Sequence, residues 1–243
     1  MATAIITGGS LGLGRALTEA LRDLGWRVVV DGRRPELLAD LAGTVVPSAE
    51  GGGVVAVPGD VTDPDHRAAL LAAAGGPVDV LVNNASTIGP SPMPAVADYP
   101  LDEWRRVFEV NVVAPLALIQ ATLPVLAPGG AIVDLTSDAA VEAYEGWGGY
   151  GAAKAALEHM GAVLAAELAA SRPDVRVYTV DPGDMRTELH QAAFPGEDIS
   201  DRPEPTASVP GLLALVLGDR PSGRYVAREV AAVDEAAAAE VLA

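Results

Sequence analysis

Four side chains in the middle of this sequence have types and spacings that could handle a proton. Tyr150 and Lys154, in YGAAK, stand four residues apart, which places a phenol and an ammonium one turn apart on one helix face. Ser137 closes the β-branched run AIVDLTS, 13 residues before Tyr150, so a strand ending there would project its hydroxyl towards the same crevice. A tyrosine with an ordinary pKa of about 10 is a poor base near neutral pH, and nearby positive charge would favour the phenolate. A tyrosine and a lysine at this spacing also occur on helices that do no chemistry; the strand-end serine is what singles out this pair. Asn111, in VFEVNVVAPLALIQ, is followed four residues later by Pro115, which has no N–H to give the Asn111 carbonyl. That pattern fits a kinked helix with a satisfied core asparagine, or an asparagine whose free carbonyl serves the site.

These residues need a frame. Short β-branched runs predict strands near 3–7, 26–31, 53–57, 78–82, 130–136, 175–181 and 223–227. Alanine- and leucine-rich stretches predict helices near 12–24, 35–42, 64–74, 102–124, 150–170 and 206–217. Strands this apolar suit a parallel sheet covered on both faces, and the alternation predicts an α/β, Rossmann-type, doubly wound sheet of seven strands. Ligands of such sheets bind outside the carboxyl ends of the strands. With no repeat and no credible linker, residues 1–243 are expected to form a single domain. A substrate lid is expected over about 184–205, within which FPGEDISDRPEP (194–205) reads as irregular: a surface loop or part of a mobile lid.

The first strand runs into Gly8-Gly9-Ser10-Leu11-Gly12-Leu13-Gly14 and at once into a helix. Glycines at 8, 12 and 14 permit a tight turn and close approach to a ligand, and the helix offers unpaired N–H groups and its positive end to a pyrophosphate. A plain strand–helix turn would look similar, but the position at the first strand favours dinucleotide binding.

Composition narrows the partners. Sixteen basic against 33 acidic residues give a formal charge of −17, which argues against nucleic acid and anionic membranes. No apolar run approaches the roughly 20 residues of a membrane span, and the start lacks the basic region and length of a signal peptide. A cytoplasmic location is the expectation. The absence of cysteine excludes disulfides, thiolate metal sites and a cysteine nucleophile, and the three histidines form no metal cluster. His66 and His159 read as helix-surface residues, and His190 lies near the lid.

TGGSLGLG, together with Ser137, Tyr150 and Lys154, resembles the short-chain dehydrogenases/reductases, in their compact single-domain branch. The resemblance implies an oxidoreductase that interconverts a carbonyl and an alcohol of a small molecule. Tyr150 would be the acid/base and Ser137 the anchor of the substrate oxygen. Lys154 would tune the phenol and bind the nicotinamide ribose, and Asn111 would support a proton-relay water. Cofactor contacts are expected from Gly8, Ser10, Gly12, Leu13 and Gly14 of the loop. Asn83 and Ala85, in Asn-Asn-Ala-Ser, resemble the family's turn beside the adenosine ribose, with Ser86 replacing a glycine. Asp60 and Val61 resemble the pair at the adenine edge; the alternative for Asp60 is a helix cap, for which Thr62 and Asp63 are better placed. Pro182, Gly183 and Thr187 resemble the turn against the nicotinamide.

The stretch VVVDGRRPE decides the cofactor. The family acid that selects a bare 2′-hydroxyl normally stands where this chain has Gly32, and Arg33 follows where NADP-preferring relatives carry a base. NADP is therefore expected through Arg33 and Arg34, with NAD possible because of Asp31. Arg34 could also be solvated or paired with Asp31. The helices bearing Asn111 and Lys154 form a dimer interface in many relatives, so a homodimer or homotetramer is expected. The alternatives are a catalytically silent dinucleotide sensor or scaffold, and an epimerase or dehydratase using the same tyrosine. Tyr144, Trp147 and Met93 are pocket-wall candidates, with core or surface packing as the alternative.

Overall fold

The computed structural model describes residues 1–43 and 52–232; residues 44–51 and 233–243, which the single-domain expectation includes, lie outside the described residues. Seven strands form one sheet in the order β3-β2-β1-β4-β5-β6-β7. They are β1 (Thr3–Ile6), β2 (Arg27–Gly32), β3 (Gly53–Pro58), β4 (Val78–Asn83), β5 (Leu126–Leu135), β6 (Arg176–Asp181) and β7 (Gly223–Val226). Every pairing is parallel. The β-branched runs are sheet interior because both faces are covered, so alternate residues enter different cores.

On one face Ile6, Val28, Val82 and Tyr178 meet Leu13, Leu17 and Leu21 of α1 (Gly12–Asp23) and Leu212 and Leu215 of α8 (Val209–Val216). On the other, Ile5, Val29, Leu81 and Ile132 meet Leu70 of α3 (Pro64–Ala74), Leu118 and Ile119 of α5 (Ala114–Thr122) and Leu168 of α6 (Gly148–Ser171). Helix α2 (Pro35–Gly43) adds Leu38 to the first core. The strand order reverses between β1 and β4, and a cleft opens at the carboxyl ends there, as expected of a doubly wound sheet.

Three differences from the sequence reading have local causes. The expected kink at Pro115 is a widened π turn at Glu109–Val113, between α4 (Leu101–Phe108) and α5, in which the Ala114 N–H reaches the Glu109 carbonyl. The whole segment Leu101–Val125 is long and apolar enough to cross a membrane, which the run-length argument overlooked because polar residues interrupt it; Ala114, Leu118 and Ile119 on it are buried core residues. The lid region is partly regular: α7 (Glu188–Ala193) starts at Thr187, whose hydroxyl accepts the His190 N–H at 3.1 Å. That cap was legible as Thr-Glu before an apolar residue.

Candidate active site

The cleft has a volume of about 1200 Å³ and runs from the β2 end past the glycine loop to α7. Gly8 and Gly12 have φ of +66° and +53°, conformations that favour glycine, and a Cβ on Gly14 would stand 2.4 Å from the Gly8 carbonyl. Helix α1 begins after Leu11 with no side-chain cap and no acid in its first turn. Its first N–H groups therefore have no side-chain partner where the loop borders the cleft, which fits a pyrophosphate. Gly8, Ser10, Gly12 and Leu13 line this part, and Gly14 packs beneath it.

Asn84 fastens β4 to this loop: its side-chain amide donates to the carbonyls of Thr7 at 2.7 Å and Gly8 at 3.1 Å. Ala85 follows on the cleft wall, as expected. Asn83 does not. Its side chain turns into the sheet, 3% exposed, and donates to Asp134 at 2.7 Å, because adjacent strand residues point to opposite faces. The expected cofactor contact of Asn83 is therefore replaced by a structural one.

At the β2 end, Asp31 is settled by contacts the sequence could not show. Its carboxylate accepts the Gly8 N–H at 2.5 Å and faces His66 Nε2 at 3.1 Å, and it is 2% exposed. His66 is correspondingly buried rather than on the helix surface. Arg34 is not paired with Asp31; it crosses the cleft to Glu188 of α7 at 2.8 Å. A Cβ on Gly32 would meet Ser10 Oγ at 2.5 Å, so a side chain there would have to displace the serine hydroxyl. Arg33 lines the cleft near Asp60. Burial pushes the Asp60 carboxyl up, but hydrogen bonds from Thr62 and the charges of Arg33 and Arg106 outweigh it and hold it below the usual range. Asp63, not Asp60, caps α3, accepting the Asp65 N–H at 2.9 Å, and Asp60 and Val61 remain on the cleft wall. Arg106, from α4, also lines the cleft, which its position on a helix surface did not announce.

The catalytic candidates come together at the ends of β4, β5 and α6. Tyr150 is 6% exposed, and Lys154, 2% exposed, places its Nζ 5.5 Å from the centre of the Tyr150 ring. The Lys154 ammonium donates to the Leu135 carbonyl at 2.7 Å. Burial brings it down to about 8, opposed by Asp134, and burial pushes Asp134 up to about 6, opposed by its hydrogen bond to Asn83 and by Lys154. Burial also pushes the Tyr150 phenol well above its ordinary value; hydrogen bonds with Ser137 and Ser86 oppose this, while Asp181 and Asp138 add to it. Lys154 thus stands beside the phenol without overcoming its desolvation. Ser137 Oγ donates to Asp138 Oδ1 at 2.8 Å, and Tyr144 donates to the other carboxylate oxygen at 2.9 Å.

Asn111 is fully buried and is not on the cleft wall. Its Oδ1 accepts Ser86 Oγ–H at 3.1 Å and the Thr87 N–H at 3.0 Å, while its Nδ2 donates to the Thr87 carbonyl at 2.8 Å. The carboxamide therefore clamps the segment after β4.

The far end is bounded by Pro182, Gly183 and Thr187, all on the cleft wall. The Gly183 N–H donates to Asp181 at 2.8 Å. Thr187 uses one lone pair on the α7 cap, which leaves its O–H to donate. Trp147 stands 5.8 Å from both the Tyr150 and Phe194 rings and lines this end of the cleft. Met93 packs beside it, whereas Tyr144 is exposed and serves Asp138. His190 is buried on the cleft wall against Phe194; His159 is exposed, as read. No group of three or more metal-ligating side chains occurs among the described residues.

A family model described as short chain dehydrogenase matches residues 2–198, and the chain belongs to that family of oxidoreductases. A short chain dehydrogenase of Pseudocercospora fijiensis is 35% identical over 194 residues, covering 77% of this chain and 60% of that relative. Serine 3-dehydrogenase of Agrobacterium fabrum is 34% identical over 192 residues, covering 77% of this chain and 73% of the relative. Among solved structures, a short chain dehydrogenase from Shigella flexneri complexed with NADP superposes with a TM-score of 0.82 at 27% identity, covering 93% of this chain and 97% of the other.

Proposed function

We propose that this chain is an NADP(H)-dependent oxidoreductase that interconverts a carbonyl and an alcohol of a small molecule. The observation that carries the reading is the buried Tyr150 phenol, with the Lys154 ammonium 5.5 Å from its ring and Ser137 on the same wall of a cleft that begins at the glycine loop. Bound NADP(H) supplies or accepts the hydride. Tyr150 donates the proton to a carbonyl oxygen, or removes it from a hydroxyl, while Ser137 holds that oxygen. Lys154, 5.5 Å from the Tyr150 ring centre, adds the nearby positive charge and would bind the nicotinamide ribose. Gly8, Ser10, Gly12 and Leu13 would hold the pyrophosphate segment, Asp60, Val61 and Ala85 the adenosine, and Pro182, Gly183 and Thr187 the nicotinamide. Arg33, with Asp31 engaged by Gly8 and His66, supports the 2′-phosphate form, as does the NADP in the Shigella flexneri relative. A small hydroxylated substrate agrees with the name of the Agrobacterium relative. Exposed Leu101, Val113, Leu116 and Val163 on α4, the π turn, α5 and α6 support a homodimer or homotetramer through those helices.

The test is net oxidation of NADPH, or reduction of NADP+, across a panel of small ketones, aldehydes and alcohols. Tyr150→Phe should keep NADPH binding by fluorescence and lose turnover by about 100-fold or more. Tight cofactor binding without net redox change on any substrate would favour a sensor or an epimerase instead.

A further inference from the structure

We propose that Asp138 is a specificity-determining residue that selects a substrate with a cationic amino group on the carbon next to the reacting one, a vicinal amino alcohol or the matching amino ketone. This deepens the oxidoreductase reading and rests on it. Asp138 lines the cleft directly after Ser137. Its carboxylate is held by neutral donors: Oδ1 accepts the Ser137 O–H and the Ala139 N–H, each at 2.8 Å, and Oδ2 accepts the Tyr144 O–H at 2.9 Å. The other acids on this part of the cleft wall each have a guanidinium. Asp181 has Arg224 at 3.4 Å and Asp184 has Arg202 at 3.5 Å. Glu204 is likewise paired with Arg186, and Glu188 with Arg34. Asp138 has no cationic partner among the described residues. A cation on the ligand would complete it through a charge-assisted hydrogen bond. Oδ2 has room, because a carboxylate offers about four acceptor positions and the two hydroxyls and one amide fill fewer. Trp147, on the same wall and 6.1 Å from the Tyr144 ring, adds an aromatic surface of the kind cations favour.

The spacing sets the substrate class. Ser137 is the anchor of the reacting oxygen, and its Oγ lies 2.8 Å from Asp138 Oδ1, so a second group of the same substrate reaches the carboxylate from the neighbouring carbon. An aliphatic amine is protonated near neutral pH, like lysine with its pKa of about 10.4. The cation also acts on the serine. A carboxylate only accepts, so the serine proton rests on Asp138. An ammonium that takes over Oδ1 lets this proton turn to the substrate oxygen, an exchange that a neutral alcohol does not offer.

The experiment compares isopropanolamine with sec-butanol, in which a methyl replaces the ammonium, as substrates with NADP+. The unsubstituted chain should favour isopropanolamine in kcat/KM by about 10- to 100-fold, the range of one charge-assisted hydrogen bond. In Asp138→Asn the ratio should collapse to within about threefold of unity, while the affinities for NADPH and NADP+ stay within about twofold. Asp138→Ser, which removes the charge with a different side chain, should give the same collapse. No preference in the unsubstituted chain, or an unchanged ratio in both variants, would overturn the assignment and leave the oxidoreductase reading standing. A loss of NADP+ affinity without a loss of NADPH affinity would also overturn it, giving the carboxylate to the nicotinamide charge. Absence of turnover on every alcohol and carbonyl would sink the oxidoreductase reading instead. Calorimetric binding of the two alcohols to the NADPH-loaded chain separates these failures: tighter binding of isopropanolamine, lost in Asp138→Asn, supports the Asp138 role, and equal binding refutes it.

Discussion

Arg33 and Arg34 are neighbours in sequence with different tasks. Arg34 bridges the cleft to Glu188, whereas Arg33 faces the cleft near Asp60, and the buried Asp31 carboxylate is engaged by Gly8 and His66. A guanidinium meeting a phosphate makes charge-assisted hydrogen bonds worth about 1.5–3 kcal/mol. Arg33→Ala should therefore raise the dissociation constant of NADPH about 10- to 100-fold and leave that of NADH nearly unchanged. Equal losses for the two, by fluorescence titration, would return the selection to another residue. The pairing of an acid and two bases in VVVDGRRPE looked contradictory because one dimension cannot show that Asp31 belongs to the glycine loop.

At the scale of elements, the site depends on how closely α6 lies against β6. Gly161 makes that approach: a Cβ there would meet Thr179 Cγ2 at 2.7 Å and Asp134 Oδ2 at 3.5 Å. Gly161→Val should push the helix off the sheet, lowering stability by about 1–3 kcal/mol. Because α6 also carries Tyr150 and Lys154, turnover should fall more than NADPH affinity. Urea unfolding and steady-state kinetics would check both, and unchanged stability would show that the helix can shift freely. The loop before α1 is governed similarly, with Gly14 against Gly8 and Asn84 tying β4 to both Thr7 and Gly8.

For the whole molecule, the buried Asp134 couples stability to pH. It is fully buried, with Oδ2 lacking a hydrogen-bond partner, and burial pushes its pKa from 3.8 up to about 6. The folded chain therefore binds this proton more tightly than the unfolded chain does. The stabilisation is fully present below the unfolded pKa and is lost as pH rises through the folded value, about 3 kcal/mol in all. Asp134→Asn should flatten the loss between about pH 4 and pH 6 and make the chain more stable than the parent near pH 8, less the attraction Lys154 forgoes. Urea unfolding across that range is the measurement, and an identical slope in both chains would rule the residue out.

The sequence by itself determined the seven-stranded parallel sheet, the glycine loop and the Ser137–Tyr150–Lys154 set. Strand burial, loop geometry and helix spacing are local properties written in runs of a few residues. The start of α3 was readable from Asp63 and Pro64 for the same reason. Only the tertiary structure decided which neighbour each polar side chain meets. Asn83 was drawn to Asp134, His66 to Asp31 and Arg34 to Glu188, across 51, 35 and 154 residues. Asn111 became a clamp on Ser86 and Thr87, 25 and 24 residues away. A buried donor or acceptor must find a partner wherever the fold brings one, and that choice is made between segments that no local pattern relates.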